Sequence, residues 1–157
     1  MPQHGQRVWP WLLGGLTLGV DQVTKHVVAT AFAPNESLPL LPPILQLTYV
    51  QNTGAAFGLF KGQQGFFILL SALIIVWIAW ELLARPSDAP RMWIGCALIL
   101  GGAAGNLIDR ARLGFVIDFI DLRVWPVFNI ADSAITIGLG LLLWQSFRHT
   151  RHSRPTG

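Results

Sequence analysis

The sequence is poor in charge and has a single cysteine. Lysine, arginine, aspartate and glutamate make up 12% of the 157 residues, against roughly 25% in an ordinary soluble domain. The one cysteine, Cys96, cannot form a disulfide within the chain, so a disulfide-stabilised scaffold is excluded. The net charge of +3 is spread over predicted loops and tails rather than gathered in an aromatic-interleaved patch, so we expect no nucleic-acid partner.

The sequence also lacks the residues that several kinds of active site need. No cluster of cysteine and histidine has the spacing of metal ligands, so we expect no metal site. The glycines after Leu100 do not follow a strand and carry no phosphate-loop lysine. Ser71 has no histidine near it in sequence, and Ser133 has only the distant His26, so a serine nucleophile would lack its base.

The chain is rich in long apolar runs. Hydrophobic residues make up 52% of it, and the mean hydropathy of +0.50 predicts a membrane protein with a single domain over residues 1–157. Four runs approach the roughly 20 residues that a bilayer requires, and they predict transmembrane helices at about 9–33, 65–84, 92–107 and 129–147. Residues 44–50 partly alternate between apolar and polar, which predicts a strand. The predicted fold is an all-α membrane protein with a small β-containing extracytoplasmic element between helices 1 and 2.

The first apolar run permits two interpretations. Its basic leader, the apolar residues 8–20 and the small residues that follow imitate a secretory signal peptide. We favour a first membrane helix that stays in the protein, because Asp21, Gln22, Lys25 and His26 precede the supposed cleavage site and apolar residues resume after them. Asp21 and Lys25 share a helix face and can pair. Whether that pair only neutralises itself or also holds a neighbouring loop stays open.

Small residues recur one turn apart in two predicted spans. Gly101 and Gly105 lie in the third span, and Gly15 and Gly19 lie in the first. Such pairs let another helix approach closely, so we expect tight packing that involves both helices.

The distribution of basic residues predicts the orientation in the membrane. An even number of spans puts both termini and the connection 85–91 on one side, which collects six of the eleven lysine and arginine residues. By the positive-inside rule, we expect both termini in the cytoplasm. Segments 34–64 and 108–128 then face the outer side.

The stretch 105–132 lies between two apolar runs and contains half of the eight acidic residues, namely Asp109, Asp118, Asp121 and Asp132. Carboxylates at the edge of a hydrocarbon layer are costly to hold charged, so each needs a partner, water or a function. Asp109 lies beside Arg110, which predicts a local ion pair. Asp121 and Arg123 are predicted to be solvated loop charges.

Asp118 and Asp132 are the candidates for chemistry, since one precedes the fourth predicted span and the other lies in its first turn. Two carboxylates at close range cannot both ionise readily, so they share a proton. The ionised group can then take a proton from water while the protonated group polarises a peptide carbonyl. The spacing alone leaves another interpretation open, in which Asp132 caps the helix and Asp118 is a solvated loop residue.

Four further residues can either close turns or bind a peptide. Asn52 and Gly54 lie in a turn-rich loop, where an amide beside a glycine commonly closes a turn. Alternatively, they hydrogen-bond an extended peptide. Asn106 and Asn129 stand at predicted helix ends, which they can cap, or they can donate to a substrate or to a catalytic carboxylate.

Five short motifs together resemble the bacterial lipoprotein signal peptidases, the type II signal peptidases. They are Asp21-Gln22-Val23-Thr24-Lys25, Asn52-Thr53-Gly54-Ala55-Ala56-Phe57, Gly105-Asn106-Leu107-Ile108-Asp109-Arg110, Val116-Ile117-Asp118-Phe119 and Phe128-Asn129-Ile130-Ala131-Asp132. Each motif is weak alone, but the five occur in the order of the family and cover most of the chain.

This resemblance implies a multi-pass aspartic endopeptidase of the bacterial plasma (inner) membrane, with its active site at the extracytoplasmic face. It would act on prolipoproteins within membrane lipid, cutting before a diacylglyceryl-modified cysteine, without a metal or cofactor; we expect a monomer. The resemblance implies that Asp118 and Asp132 are catalytic, that Asn52, Gly54, Asn106, Arg110, Asn129 and Ala131 bind substrate or support the site, that Asp109 orients Arg110, and that Asp21 and Lys25 brace the outer face.

The alternative hypothesis is a small membrane scaffold or ion-conducting subunit with an acidic outer face. Such a protein would place charges along a path through the bilayer, whereas here the acidic stretch lies near one face and the centres of the predicted spans, apart from Asp21 and Lys25, are apolar. The connection 122–127 varies within the family that the chain resembles, so its conformation is not predicted.

Overall fold

The computed structural model describes residues 8–54, 62–84 and 90–152. Within these residues it contains four long helices and a three-stranded antiparallel sheet. In chain order the elements are α1 (Trp9–Ala31), β1 (Ser37–Leu41), β2 (Leu45–Asn52), α2 (Gln64–Ala84), α3 (Pro90–Leu113), β3 (Val116–Asp121) and α4 (Ile130–His152). The prediction of a mostly helical membrane-type fold with a small β element is confirmed.

Three of the described helices, α2, α3 and α4, are long and apolar enough to cross a membrane. The mean hydropathy is highest in α2, at 2.5. Helix α1 has 23 residues, but Asp21, Gln22, Lys25 and His26 in its second half lower its mean hydropathy. Length and composition therefore support three of the four predicted spans.

Helix α3 packs against each of the other three helices, and glycines make the closest approaches. A Cβ atom on Gly138 of α4 would lie 2.6 Å from a carbonyl oxygen of α3, and one on Gly101 would collide with the carbonyl of Gly14 in α1. The predicted close packing at Gly101 is confirmed. At Gly15 and Gly19 it is wrong, because added Cβ atoms would meet no atom of the described residues within 4 Å.

Helix α3 runs beyond its predicted end at residue 107. It stops just before Gly114, whose φ of 79° lies in the left-handed region that ends many helices. The prediction of a connection starting at residue 108 is wrong. Residues 108–113 include no glycine or proline, so the helix continues as far as Gly114. Asn106, Asp109 and Arg110 consequently share one face of a helix.

The sheet has the strand order β1-β2-β3. The strand predicted at 44–50 is confirmed as β2, which continues to Asn52. Strand β1 is exposed along its whole length and contains Pro39, which an edge strand tolerates. Strand β3 lies between α3 and α4, so the placement of the β element only between helices 1 and 2 is wrong.

A small apolar core fixes the sheet against the end of α1. Val28 of α1 packs with Tyr49 of β2 and with Ile117 and Phe119 of β3, and all four are buried. After β3 the connection 122–127 returns to the sheet, where Phe128 exchanges backbone hydrogen bonds of 2.7 and 3.1 Å with Ile120. This return brings the start of α4 beside β3.

Asp121 is not a solvated loop residue, contrary to the prediction. It ends β3, and its carboxylate accepts hydrogen bonds from Gln46 Nε2 at 2.6 Å and Thr48 Oγ1 at 3.0 Å. The backbone N–H of Arg123 donates to the same carboxylate at 2.8 Å. Asp121 therefore ties β3 to β2, which supports the strand that carries Asp118.

Candidate active site

Asp118 lies in the middle of β3, paired with Val50 of β2, and is 1% exposed. Its Oδ2 accepts a hydrogen bond of 2.8 Å from Asn52 Nδ2, and its Oδ1 accepts one of 2.7 Å from Asn129 Nδ2. A buried carboxyl group needs such donors. The interpretation of Asp118 as a solvated residue is wrong.

Asp132 lies in the first turn of α4, and Asn129 precedes that helix. The backbone N–H of Asp132 donates to Asn129 Oδ1 at 2.9 Å, and the N–H of Asn129 donates to Asp132 Oδ2 at 3.4 Å. This reciprocal capping satisfies donors at the helix start. Asn106 Nδ2 donates to the other oxygen of Asp132 at 2.8 Å. The carboxyl group of Asp132 therefore helps to cap α4 with one oxygen and accepts a hydrogen bond from Asn106 with the other.

Both carboxyl groups belong to the wall of one cavity of about 320 Å³. The wall consists of Asn52, Gly54, Asn106, Arg110, Val116, Asp118, Trp125, Pro126, Val127, Phe128, Asp132, Ile135 and Thr136. The space is large enough for several waters. The predicted catalytic pair thus shares a cavity with four of the predicted supporting residues.

The environment of Asp118 favours its protonated form. Burial, and after it the neighbouring charge of Asp132, raise the pKa of Asp118 from its ordinary value of 3.8 to about 7. The hydrogen bonds from Asn52 and Asn129 act in the opposite direction, but they do not outweigh burial. Near neutral pH the site therefore holds a proton at a carboxyl group beside a second carboxyl group.

Arg110 also lines the cavity, and its guanidinium is held loosely. Its two terminal nitrogens lie 3.5 Å from the carbonyl oxygens of Asn106 and Gly54, at the limit for a hydrogen bond. The guanidinium lies over the Phe67 ring, 4.9 Å from its centroid. Within the described residues, the buried Nε has no hydrogen-bond partner. Arg110 therefore has donors to offer to a bound molecule.

Asp109 does not form the predicted local ion pair with Arg110. Its Oδ2 lies 2.9 Å from Lys25 Nζ and accepts the backbone N–H of Ile117 at 3.2 Å. Gln22 Nε2 donates to its Oδ1 at 2.9 Å. Asp109 does not line the cavity, and it joins α3 to α1 and β3. A direct role in orienting Arg110 therefore has no supporting contact among the described residues.

Asp21 and Lys25 form the predicted pair, with Nζ and Oδ2 2.8 Å apart, and both are almost fully buried. The pair does more than neutralise itself, since Asp21 Oδ1 accepts the backbone N–H of Ala131 at 2.9 Å. Ala131 is fully buried, and its contribution is this backbone contact at the start of α4. The pair therefore connects α1 to the turn that carries Asp132.

Some residues of the site were not singled out from the sequence. Gln22 joins Asp21 to Asp109; it lies in the first of the five motifs, but no role was predicted for it. Trp125, Pro126 and Val127 line the cavity although they lie in the connection whose conformation was not predicted. Part of the second motif, residues 55–57, lies outside the described residues.

A family model described as Signal peptidase (SPase) II matches residues 13–148 of the chain. The chain belongs to the signal peptidase II family. It is therefore an enzyme of the aspartic peptidase class, and the alternative of a non-enzymatic scaffold or ion-conducting subunit is set aside.

Individual members of the family are similar over nearly their whole length. The lipoprotein signal peptidase of Moorella thermoacetica is 48% identical over 134 residues, which cover 85% of this chain and 89% of that protein. That of Syntrophomonas wolfei is 48% identical over 140 residues, covering 87% and 89%. That of Brevibacillus brevis is 38% identical over 149 residues, covering 94% and 100%.

Two solved structures have the same fold as this chain. Both are described as bacterial membrane enzymes studied by the in meso method, at 2.3 and 1.9 Å resolution. The first has a TM-score of 0.88 at 31% identity and covers 99% of this chain and 95% of its own. The second has a TM-score of 0.80 at 33% identity and covers 91% and 93%. The chain is thus a membrane enzyme.

Proposed function

We propose that Asp118 and Asp132 are the catalytic pair of this peptidase, and that its substrate is a diacylglyceryl-modified prolipoprotein. The enzyme removes the signal peptide by cleaving before the lipidated cysteine. The relatives named lipoprotein signal peptidase support this class of substrate. The residue assignment is supported by the resemblance of five motifs and by the contacts of the two carboxyl groups.

The observation that carries the assignment is the shared cavity of the two aspartates. Asn129 lies between them, since its side chain donates to Asp118 and accepts the backbone N–H of Asp132. A pKa of about 7 at Asp118 supplies a carboxyl group that is protonated in a large share of molecules at neutral pH. These features are what a water-activating carboxyl pair requires.

The reaction needs one proton on the pair. The ionised carboxylate accepts a proton from water, and the water oxygen attacks the scissile carbonyl carbon. The protonated carboxyl group donates to the carbonyl oxygen and so stabilises the charge that develops there. The resulting tetrahedral diol collapses when the C–N bond breaks. The carboxyl group that took the proton of the water protonates the leaving nitrogen, and the other carboxylate takes a proton back from a diol hydroxyl, so the pair regains its starting protonation.

The other polar groups of the wall are suited to hold an extended peptide. Asn52 and Gly54 lie at the end of β2 and in the turn that follows, which is closed by a hydrogen bond of 2.9 Å from the Gly54 N–H to Asn52 Oδ1. Both residues line the cavity at this turn. Arg110 contributes donors that are only loosely engaged within the described residues. Asn106 and Asn129 hold the two carboxyl groups. Ala131 supports the start of α4. We expect no metal or cofactor in this reaction.

The proposal includes four transmembrane helices, with α1 as the first. Although α1 carries charged residues, Asp21 and Lys25 are buried against the protein. Most of its outward side chains are apolar, and Leu16 is 64% and Val23 is 63% exposed. A helix with its charges turned inward and its aliphatic side chains outward suits a lipid surround.

We place both termini in the cytoplasm and the cavity at the extracytoplasmic face. Arg91, at the start of α3, lies over the Trp144 ring near the end of α4, 5.6 Å from its centroid. This arginine and indole mark the end of the bundle that we assign to the cytoplasmic interface. The cavity is built from the opposite ends of α3 and α4. The single domain acts as a monomer.

The substrate class is tested by cleaving one purified precursor with and without its diacylglyceryl group. We expect cleavage of the lipidated form only, before the modified cysteine, as located by mass spectrometry of the products. The Asp118→Asn enzyme is the control for contaminating peptidases. Equal cleavage of both precursors by the native enzyme would contradict the assignment of the substrate.

A further inference from the structure

Lys25 lies outside the cavity, and its side chain is 2% exposed. Its Nζ lies 2.8 Å from Asp21 Oδ2, 2.9 Å from Asp109 Oδ2 and 2.9 Å from Asn106 Oδ1. A lysine ammonium has three hydrogens to donate and cannot accept a hydrogen bond. All three hydrogens therefore have an acceptor, and one of these acceptors, Asn106, belongs to the cavity wall.

The contact with Lys25 decides which way the amide of Asn106 points. Its Oδ1 accepts from Lys25 Nζ and also from Asn129 Nδ2 at 3.2 Å. Its Nδ2 donates to Asp132 Oδ1 at 2.8 Å. If the amide were flipped, its NH₂ group would face the ammonium and its oxygen would face the carboxyl oxygen of Asp132. Two such mismatches at buried polar groups are costly, so the ammonium enforces the observed orientation.

Asn129 alone cannot hold the amide of Asn106 in the orientation that donates to Asp132. The Nδ2 group of Asn129 has only two hydrogens, and its shortest contact is with Asp118 at 2.7 Å. It lies 3.2 Å from both the carbonyl oxygen of Ile117 and Asn106 Oδ1, so these acceptors compete. Lys25 therefore supplies the stronger, charge-assisted hydrogen bond to Asn106.

We propose that Lys25 is a positioning residue for the peptidase reaction, because its ammonium fixes the amide of Asn106 in the orientation that donates to Asp132. This inference rests on the proposed role of Asp132 in catalysis. It assigns to Lys25 a part in the chemistry beyond bracing α1 against the rest of the protein, although Lys25 itself touches no substrate.

The test is the Lys25→Met enzyme, which keeps an unbranched side chain of similar length and removes its hydrogen bonds. With a purified diacylglyceryl-modified precursor, we expect kcat to fall roughly 10- to 100-fold, because a small misplacement of a catalytic group costs that much. We expect KM to stay within about threefold, because Lys25 does not line the cavity. The stoichiometry of precursor binding counts the intact sites, and kcat is expressed per intact site.

The matched control is Asp21→Asn, which removes an ion pair from the same ammonium but leaves its bond to Asn106. We expect this variant to lose thermal stability while retaining most of its kcat per intact site. A general effect of weakening the buried cluster would lower kcat equally in both variants, and that result would overturn the proposal.

Lys25→Met leaves two buried carboxylates with reduced compensation and can fail to fold. The double variant Lys25→Met/Asp21→Asn removes one positive and one negative charge, and it is compared with Asp21→Asn alone. A kcat at least tenfold below that of the single variant supports the role of Lys25, and an equal kcat overturns it. If Asp118→Asn and Asp132→Asn are inactive while these Lys25 variants are fully active, only the positioning role is wrong. If the aspartate variants are active, the proposed function itself is wrong.

Discussion

Asp118 and Asp132 lie on different elements, β3 and α4, yet their carboxyl groups line the same cavity. Asn129 joins them, because its Nδ2 donates to Asp118 and its Oδ1 accepts the backbone N–H of Asp132. One side chain thus links the helix cap of α4 to the strand that carries the other acid. The Asn129 side chain that caps α4 therefore also holds a carboxyl group of the candidate catalytic pair.

Replacement of Asn129 by alanine is expected to damage both catalysis and stability. Asn129 is fully buried, and its loss leaves Asp118 without its 2.7 Å donor. We expect kcat to fall by about two orders of magnitude and the free energy of unfolding to fall by about 1 kcal/mol or more, as for a lost helix cap. Precursor cleavage and thermal melting measure the two effects.

Ser133→Ala is the matched control for Asn129→Ala. The Ser133 hydroxyl donates to the carbonyl oxygen of Asn129 at 3.0 Å, so this change removes a hydrogen bond from the same turn without touching either carboxyl group. We expect nearly native activity. Equal losses of activity in the two variants would show that the turn as a whole, rather than the Asn129 amide, is responsible.

The pH dependence of cleavage is expected to have an alkaline limb near pH 7. The pKa of Asp118 is about 7, so raising the pH through this value removes the proton that the pair must hold. Above it, kcat/KM should fall by roughly tenfold per pH unit. Asp121→Asn serves as control, since Asp121 binds Gln46 and Thr48 and does not line the cavity. A rate that stays level up to pH 9 would contradict this assignment.

The same raised pKa predicts how stability varies with pH. Asp118 is easier to ionise in the unfolded chain than in the folded one, so its stabilising contribution is complete below pH 4 and is lost as the pH rises through about 7. The Asp118→Asn variant has no carboxyl group at this position, so its stability does not fall in this way. Relative to native enzyme, the variant should gain roughly 2 to 3 kcal/mol between pH 5 and pH 8.

Melting temperatures of both proteins at pH 5 and pH 8 measure this gain. Losses of stability that do not depend on pH, such as an imperfect fit of the new amide between Asn52 and Asn129, cancel when the two pH values are compared. A difference in melting temperature that does not change with pH would show that the Asp118 carboxyl group is not held protonated by the fold.

Gly105→Ala is expected to loosen the contact between α1 and α3. An added Cβ would collide with the carboxylate of Asp21, which is fully buried and paired with Lys25. Overpacking of this kind typically costs about 1 to 3 kcal/mol. Gly19→Ala is the matched control, because its Cβ would meet no described atom within 4 Å. Thermal melting should show a clear loss for the first variant and no loss for the second.

The sequence motifs predict which residues belong to the site better than they predict which of these residues contact one another. The i, i+4 spacing of Asp21 and Lys25 predicts their ion pair correctly. It does not predict that Asp109 joins this pair, since that contact depends on how α1 and α3 pack. The adjacent Arg110 is the more obvious partner in the sequence, but α3 continues through both residues, and Asp109 Oδ2 binds Lys25 instead.

Several features of the fold depend on tertiary contacts that local patterns do not contain. Asp121 looks like a loop charge until β3 pairs with β2 and brings Gln46 and Thr48 to it. A GxxxG spacing identifies helices able to pack closely, but only the interhelical packing shows that α1 uses Gly14 rather than Gly15.

The most direct measurement is cleavage of a purified diacylglyceryl-modified precursor by Asp118→Asn and Asp132→Asn enzymes that melt cooperatively and still bind the precursor. Each variant keeps a side chain of nearly the same shape but cannot take part in sharing a proton. We expect kcat to fall by at least roughly a thousandfold in each, with binding largely retained. Turnover close to the native rate in either variant would contradict the assignment of these two residues as the catalytic pair.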